Sequence, residues 1–230
     1  MKTVGLLGGM SWESTQTYYR LINQGVRDRL GGLHSAELVL YSVDFEPIEQ
    51  LQAKGDWEAA GRVLADAACG VEAAGADFLV LCTNTMHKVA PAIEGAIGIP
   101  LLHIADATAD AVKGADVRTV GLLGTRFTMS EDFYRGRLAD RHGLTVVIPS
   151  EPERELVDRV IFHELCLGQI LDDSRARYVD VIRHLVDQGA EAVILGCTEI
   201  SLLVGPSDTS VPLFDTTEIH AVKAVERALE

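Results

Sequence analysis

The sequence predicts an α/β protein made of two pseudo-symmetric βα domains, each built on a central parallel sheet. Short apolar runs alternate with longer stretches of helical spacing from end to end. The chain also nearly copies itself: Thr119-Val120-Gly121-Leu122-Leu123-Gly124 repeats Thr3-Val4-Gly5-Leu6-Leu7-Gly8, an offset of 119 − 3 = 116. Finally, the 230 residues are 47% hydrophobic but only 6% aromatic, with 21 glycines. That Ala/Val/Leu/Gly richness favours layered α/β packing over a β-sandwich.

In chain order, Val4–Leu7 is a predicted strand closed by the turn Gly8-Gly9. Tyr18, Leu21, Ile22, Val26 and Leu30 then fall at helical spacing, so Trp12–Leu30 reads as a helix stopped by Gly31-Gly32. Glu37–Val43 reads as a strand, and Asp44-Phe45-Glu46-Pro47 as a turn-rich loop. Trp57–Ala74 is an amphipathic helix, Phe78–Cys82 a strand, Met86–Ala96 a helix and Pro100–Ile104 a strand. The second half restarts the pattern. Gly189-Ala190-Glu191 matches Gly75-Ala76-Asp77 at 189 − 75 = 114, and Val211-Pro212-Leu213 matches Ile99-Pro100-Leu101 at 211 − 99 = 112. Ordered matches at a nearly constant offset indicate an internal duplication. The expected domains are 1–105 and 106–209, with a C-terminal helix in 210–230 packing back on the first. The expected site lies in the cleft between them, at the strand C-termini.

Charge and composition exclude several classes. The formal charge is −14 without a block of like charges, so a nucleic-acid surface, which needs clustered Lys and Arg, is not expected. No apolar run reaches the length of a membrane span, and Met1-Lys2-Thr3 leads directly into a strand without a separate apolar leader segment. The four cysteines (Cys69, Cys82, Cys166, Cys197) show neither CxxC pairing nor zinc spacing, so reduced thiols in a cytoplasmic protein are expected. Cys69 and Cys166 read as small buried hydrophobes, and His34, His103, His142, His184 and His220 as scattered surface or satisfied polar residues. Gly8-Gly9 lacks the spacing of a dinucleotide-binding turn.

Chemistry concentrates in two stretches, Leu81-Cys82-Thr83-Asn84-Thr85 and Leu195-Gly196-Cys197-Thr198-Glu199, each ending a buried strand. The 114 offset sets Thr83 against Cys197; a one-residue shift would instead set Cys82 against it. Adjacent strand residues face opposite ways, so only one of Cys82 and Thr83 can face the cleft. Two proton-handling groups on opposite walls suit cofactor-independent racemisation, in which one removes the α-proton and the other reprotonates the opposite face. A helix N-terminus after Cys197 would lower its thiol pKa.

Gly8-Gly9-Met10-Ser11-Trp12-Glu13-Ser14-Thr15, Thr83-Asn84-Thr85-Met86-His87 and Gly196-Cys197-Thr198-Glu199 together resemble the aspartate/glutamate racemase superfamily over the whole chain. They are most similar to its bacterial amino-acid racemases carrying Cys-Thr-Asn-Thr-Met-His-Lys. The resemblance implies flavodoxin-like domains, no cofactor or metal, a homodimer and an amino-acid substrate. It favours the 114 register, hence an atypical pair with Thr83 where the family usually has cysteine. It implies catalysis by Thr83 and Cys197, with substrate contacts from Met10, Gln52, Asn84, Thr85, Thr198 and Glu199. His87 and Ser11 would support them, and His163 beside Glu164 is all that stands where acid-selective relatives place a basic residue. A single-cysteine decarboxylase or isomerase of the superfamily and a non-catalytic amino-acid-binding protein are the alternatives.

Overall fold

A computed structural model describes all 230 residues, Met1–Glu230. The chain forms two compact units, Met1–Ile104 with His220–Glu230, and Ala105–Ile219.

In the first unit, β1 (Val4–Gly8), α1 (Trp12–Leu30), β2 (Leu38–Ser42), α2 (Phe45–Lys54), α3 (Trp57–Ala73) and β3 (Phe78–Leu81) follow in order. A 3₁₀ turn (Thr85–Val89), α4 (Ala90–Glu94) and β4 (Leu101–Leu102) complete it. All pairs are parallel, in the order β2-β1-β3-β4. Alternation along β1 sends Val4 and Leu6 into one apolar layer with Tyr18, Ile22 and Val26 of α1. Leu7 joins the opposite layer with Leu64, Ala68 and Val71 of α3. Gly5 is small for a reason: a Cβ there would collide with Val71 of α3 and stand 2.8 Å from Ala76 Cβ, so α3 could not pack on the sheet.

The second unit contains α5 (Ile104–Gly114, entered from the first), β5 (Thr119–Gly124), α6 (Arg126–Ser130), β6 (Thr145–Val147), α7 (Glu151–His163) and α8 (Asp172–Asp187). β7 (Ala192–Gly196), α9 (Ile200–Leu203) and β8 (Leu213–Asp215) follow. Its order, β6-β5-β7-β8, reproduces the first sheet. The duplication extends to single contacts. Thr3 N–H donates to the Asp77 carboxylate at 2.6 Å, and Thr119 N–H to that of Glu191 at 2.7 Å. Gly75 and Gly189 both turn with positive φ, 96° and 99°. Gly121 repeats the role of Gly5, with a Cβ there falling 2.9 Å from Leu185.

The last helix, α10 (Thr216–Leu229), lays Ala221, Ala224, Val225 and Ala228 into the α1 layer of the first unit. Lys2 N–H donates to Ala228 O at 2.8 Å.

Three local expectations need correction. Asp44–Pro47 is not an open loop: Asp44 caps α2, accepting from Glu46 N–H, and Pro47 sits in the first turn where its missing N–H costs nothing. Met86–Ala96 is not one helix, because a 3₁₀ turn precedes a short α4 that has Pro91 near its start. The strand Pro100–Ile104 shrinks to Leu101–Leu102, since Ile104 already opens α5.

Candidate active site

The strand ends decide which residue occupies which position of the repeat. Leu81 pairs with Leu7 and Leu195 pairs with Leu123, and Leu7 and Leu123 are repeat partners. Leu81 is therefore equivalent to Leu195, Cys82 to Gly196, and Thr83 to Cys197. Cys82 is fully buried among Tyr18, Ile22 and Ala221, and burial holds its thiol far above the ordinary range. It is part of the core.

Around Thr83, buried backbone is fastened by a histidine. The Thr83 carbonyl accepts from His87 Nδ1 at 2.7 Å, and His87 Nε2 accepts from Ile104 N–H at 3.3 Å. A carbonyl only accepts and an amide only donates, so the ring is a neutral Nδ1–H tautomer. His103 is also buried, its ring centroid 4.4 Å from that of His87. His220 follows the same logic: Nε2–H donates to Leu102 O at 2.8 Å, and Nδ1 accepts from Tyr18 Oη at 2.9 Å. Burial lowers its pKa to about 4. The Thr83 hydroxyl itself hydrogen-bonds no protein group, although the residue is buried.

Met10, Gln52 and Met86 cluster close by in the same unit. Gln52 is buried and donates through Nε2 to Met86 Sδ at 2.9 Å, and Met10 packs with Ile48 and Met86 in the α3 layer. Ser11 caps α1, its hydroxyl accepting from Ser14 N–H, while its carbonyl accepts from the Thr15 hydroxyl at 2.8 Å. The Thr15 oxygen in turn accepts from Gly9 N–H at 2.8 Å, which locks the turn after β1. Asn84 and Thr85 are buried at the start of the 3₁₀ turn.

At the equivalent position of the second unit, Cys197, Thr198 and Glu199 are all buried. One carboxylate oxygen, Glu199 Oε2, accepts from the Cys197 thiol at 3.0 Å and from the Thr198 hydroxyl at 2.7 Å. The expectation of a lowered thiol pKa is overturned. Burial, and then repulsion by the Glu199 carboxylate, raise Cys197 well above the usual thiol value. The following helix, Ile200–Leu203, is a single turn and begins three residues later, so its dipole is too weak to compensate. In this state Cys197 is a thiol with a proton acceptor already in contact.

The remaining expected residues separate. Glu164 is half-buried and accepts from the Ser174 hydroxyl at 2.6 Å. His163 is exposed and lines a separate pocket of about 490 Å³ with Arg126, Phe127, Arg154, Asp158 and Arg159. One neighbour escaped the sequence reading. Cys166, taken as a lone small hydrophobe, packs against the cluster that contains Cys197, and its charge would further raise the Cys197 thiol. No motif signals that proximity, because a turn rather than a regular helix brings Cys166 there.

A buried Cys-Thr-Glu strand end, duplicated at Thr83-Asn84-Thr85, can be compared with known proteins. The family model for Asp/Glu/Hydantoin racemase matches residues 7–224. The chain belongs to that family. Among curated relatives, the broad specificity amino-acid racemase RacX of Bacillus subtilis (strain 168) is 23% identical over 243 residues, covering 98% of each chain. A crystal structure from Yersinia pestis, provisionally called an Asp/Glu racemase, is 58% identical with a TM-score of 0.93, covering 100% of both chains. An aspartate racemase homologue from Pyrococcus horikoshii OT3 is 36% identical with a TM-score of 0.86, again covering 100% of both chains. No helix of this racemase-family chain is long and apolar enough to cross a membrane.

Proposed function

We propose that the protein is a cofactor-independent amino-acid racemase, in which Cys197 and Thr83 serve opposite faces of one α-carbon. The observation that carries this reading is the Cys197 thiol bonded at 3.0 Å to a buried carboxylate, at the strand end equivalent to Thr83. In the forward direction Glu199 takes the thiol proton. The Cys197 thiolate then removes the α-proton, and the Thr83 hydroxyl delivers its proton to the other face of the carbanion. Water restores the Thr83 proton, and Glu199 returns its own to solvent.

The α-ammonium of the substrate brings a positive charge beside Glu199, offsetting the repulsion that keeps Cys197 protonated in the free enzyme. Amides of Asn84, Thr85, Thr198 and Glu199 hold the α-carboxylate, and Met10 and Gln52 line the side-chain end. His87 and Ser11 position the first motif. His163 and Glu164 stand where acid-selective relatives carry a basic residue; with His163 exposed and Glu164 anionic, a range wider than aspartate and glutamate is favoured. The working protein is a cytoplasmic homodimer of two βα domains that needs no pyridoxal phosphate.

A second reading has an observation of its own. The Thr83 hydroxyl makes no hydrogen bond to a protein group, as expected if a single cysteine serves a decarboxylase or isomerase reaction. A panel of L- and D-amino acids analysed by chiral chromatography, with wild type and Cys197→Ser, separates the two. Inversion that Cys197→Ser abolishes supports racemisation, whereas carbon dioxide release from a malonate-type acid without inversion supports the other.

A further inference from the structure

The strand that ends at Gly196 is held by its ladder, but the turn beyond Cys197 has little of its own to hold it. α9 is four residues long, and a single helical turn is not stable by itself in water. Its bonds form a short relay: Cys197 O accepts from Ile200 N–H at 3.1 Å, Glu199 O from Leu202 N–H at 3.1 Å, and Ile200 O from Val204 N–H at 3.0 Å. Val204 is extended, so the relay stops there, and Pro206 has no N–H to offer the Leu203 carbonyl three residues before it. With Leu203 only 2% exposed, that carbonyl needs a donor from elsewhere in the protein.

α8 supplies it. Arg175 Nε donates to Leu203 O at 2.7 Å, while its Nη1 donates to Asp172 Oδ1 at 2.8 Å. The two bonds differ in weight. The Asp172 side chain is 93% exposed, so that ion pair is screened and contributes little. The bond to Leu203 is charge-assisted and serves a buried carbonyl. Neighbours of Arg175 fix α8 itself: the Ser174 hydroxyl donates to Glu164 at 2.6 Å, and the Tyr178 hydroxyl to Val157 O at 2.9 Å, at the end of α7 and within it. Tyr178 also packs in the layer that holds Cys197, Ile200 and Leu203. Arg175 therefore reaches α9 from a fixed base.

We infer that Arg175 is a positioning residue for the Cys197 site: by fastening the end of α9, it holds the Glu199 carboxylate on the Cys197 thiol. What this means for turnover rests on the reaction proposed above; the fastening itself does not. Glu199 stands between two fixed points. On one side Gly196 is pinned to Gly124 of β5, and on the other Leu203 is pinned to α8. Releasing the second point frees the single turn to unwind back to Glu199, whose Oε2 then leaves both the Cys197 thiol and the Thr198 hydroxyl. Glu199, Cys166 and Tyr178 are the titratable groups facing the thiol. Burial first, and then the charges of Glu199 and Cys166, hold its pKa up. A displaced Glu199 lets the thiolate form at lower pH and deprives the thiol of its proton acceptor.

Alkylation of the full chain across a pH series, resolved to each cysteine by peptide mass spectrometry, tests this with three variants. Arg175→Met keeps the length of the side chain but has no donor. Arg175→Gln sets an amide N–H at the position of Nε, and Asp172→Asn removes only the exposed ion pair. Cys82, buried in the core of the first unit, gauges global unfolding in the same sample. Arg175→Met should quicken Cys197 alkylation at neutral pH at least about tenfold, the scale of one charge-assisted hydrogen bond, and move its profile to lower pH while Cys82 stays unreacted. Arg175→Gln and Asp172→Asn should stay within about threefold of wild type. Amino-acid turnover should fall in Arg175→Met and recover in Arg175→Gln. If wild type turns over no amino acid yet Cys197 responds as described, the reaction is wrong and the fastening stands. If Arg175→Met does not fold, Arg175→Lys, with its donor one bond farther out, takes its place, and a smaller quickening confined to Cys197 is expected. Met and Gln variants that behave alike, Cys197 and Cys82 quickening together, or no change in a folded Met or Lys variant would overturn the proposal.

Discussion

His87→Ala removes the side chain that joins the end of the first motif to the start of α5. Two buried backbone groups lose their partners at once: the Thr83 carbonyl, which accepts at 2.7 Å, and the Ile104 amide, which donates at 3.3 Å. A buried polar group left unsatisfied costs about 1–3 kcal/mol, so the pair costs roughly 2–6 kcal/mol. A chain of this size has total stability on the order of 5–15 kcal/mol, so the change is a large share. His87→Asn keeps a donor near the Nδ1 position but cannot reach Ile104, and should recover about half. Urea unfolding followed by circular dichroism gives the overall loss, and amide hydrogen exchange at Ile104 gives the local one. Each 1.4 kcal/mol appears as about a tenfold faster exchange where reclosing is fast compared with the chemical exchange step. If His87→Ala costs less than about 1 kcal/mol and leaves Ile104 exchange unchanged, the histidine does not hold this junction.

Other outcomes follow from the same geometry. Burial holds the folded His220 pKa at about 4, below the ordinary imidazole value of 6.5, so the unfolded chain binds the proton first as pH falls. Its contribution is complete above pH 6.5 and lost as pH drops towards 4, on the order of 3 kcal/mol; His220→Gln should flatten that slope in a pH series of unfolding curves. Glu199→Gln removes the repulsive carboxylate beside Cys197, so thiol alkylation at neutral pH should quicken while turnover falls, as the thiol has lost its proton acceptor. Slower alkylation would show that burial alone sets the thiol. A Cβ at Gly196 would lie 2.8 Å from Leu123 O, so Gly196→Ala should destabilise by about 1–3 kcal/mol and shift Cys197, seen as lost stability and lost activity together.

The duplicated βα pattern was legible because each buried strand keeps its apolar run and each turn its glycine, as at Gly75 and Gly189. The repeat alone left two registers open at Cys82 and Thr83 and only the family resemblance favoured the 114 offset; the strand ladders decide for it, since Leu81 and Leu195 occupy equivalent positions. The helix α2 was hidden by Asp44 and Pro47, residues that serve a turn and a helix start equally well. The state of Cys197 was hidden more deeply. Sequence places Glu199 two residues away but does not show that its oxygen turns back onto the sulfur, nor that burial outweighs a one-turn helix. His220 read as one scattered polar residue among several; its burial depends on α10 returning to Tyr18 and Leu102, contacts distant in sequence.

Enantiomer-resolved exchange of the α-hydrogen in deuterated water tests the assignment of Cys197 and Thr83 most directly, using wild type, Cys197→Ser and Thr83→Cys. For wild type, the enantiomer that presents its α-hydrogen to Cys197 should take up deuterium with retention faster than it inverts, because Glu199 exchanges the captured proton with solvent. The other enantiomer should exchange only as fast as it inverts. Thr83→Cys should narrow that difference, and Cys197→Ser should abolish fast exchange. Full exchange from both enantiomers in Cys197→Ser would contradict the assignment.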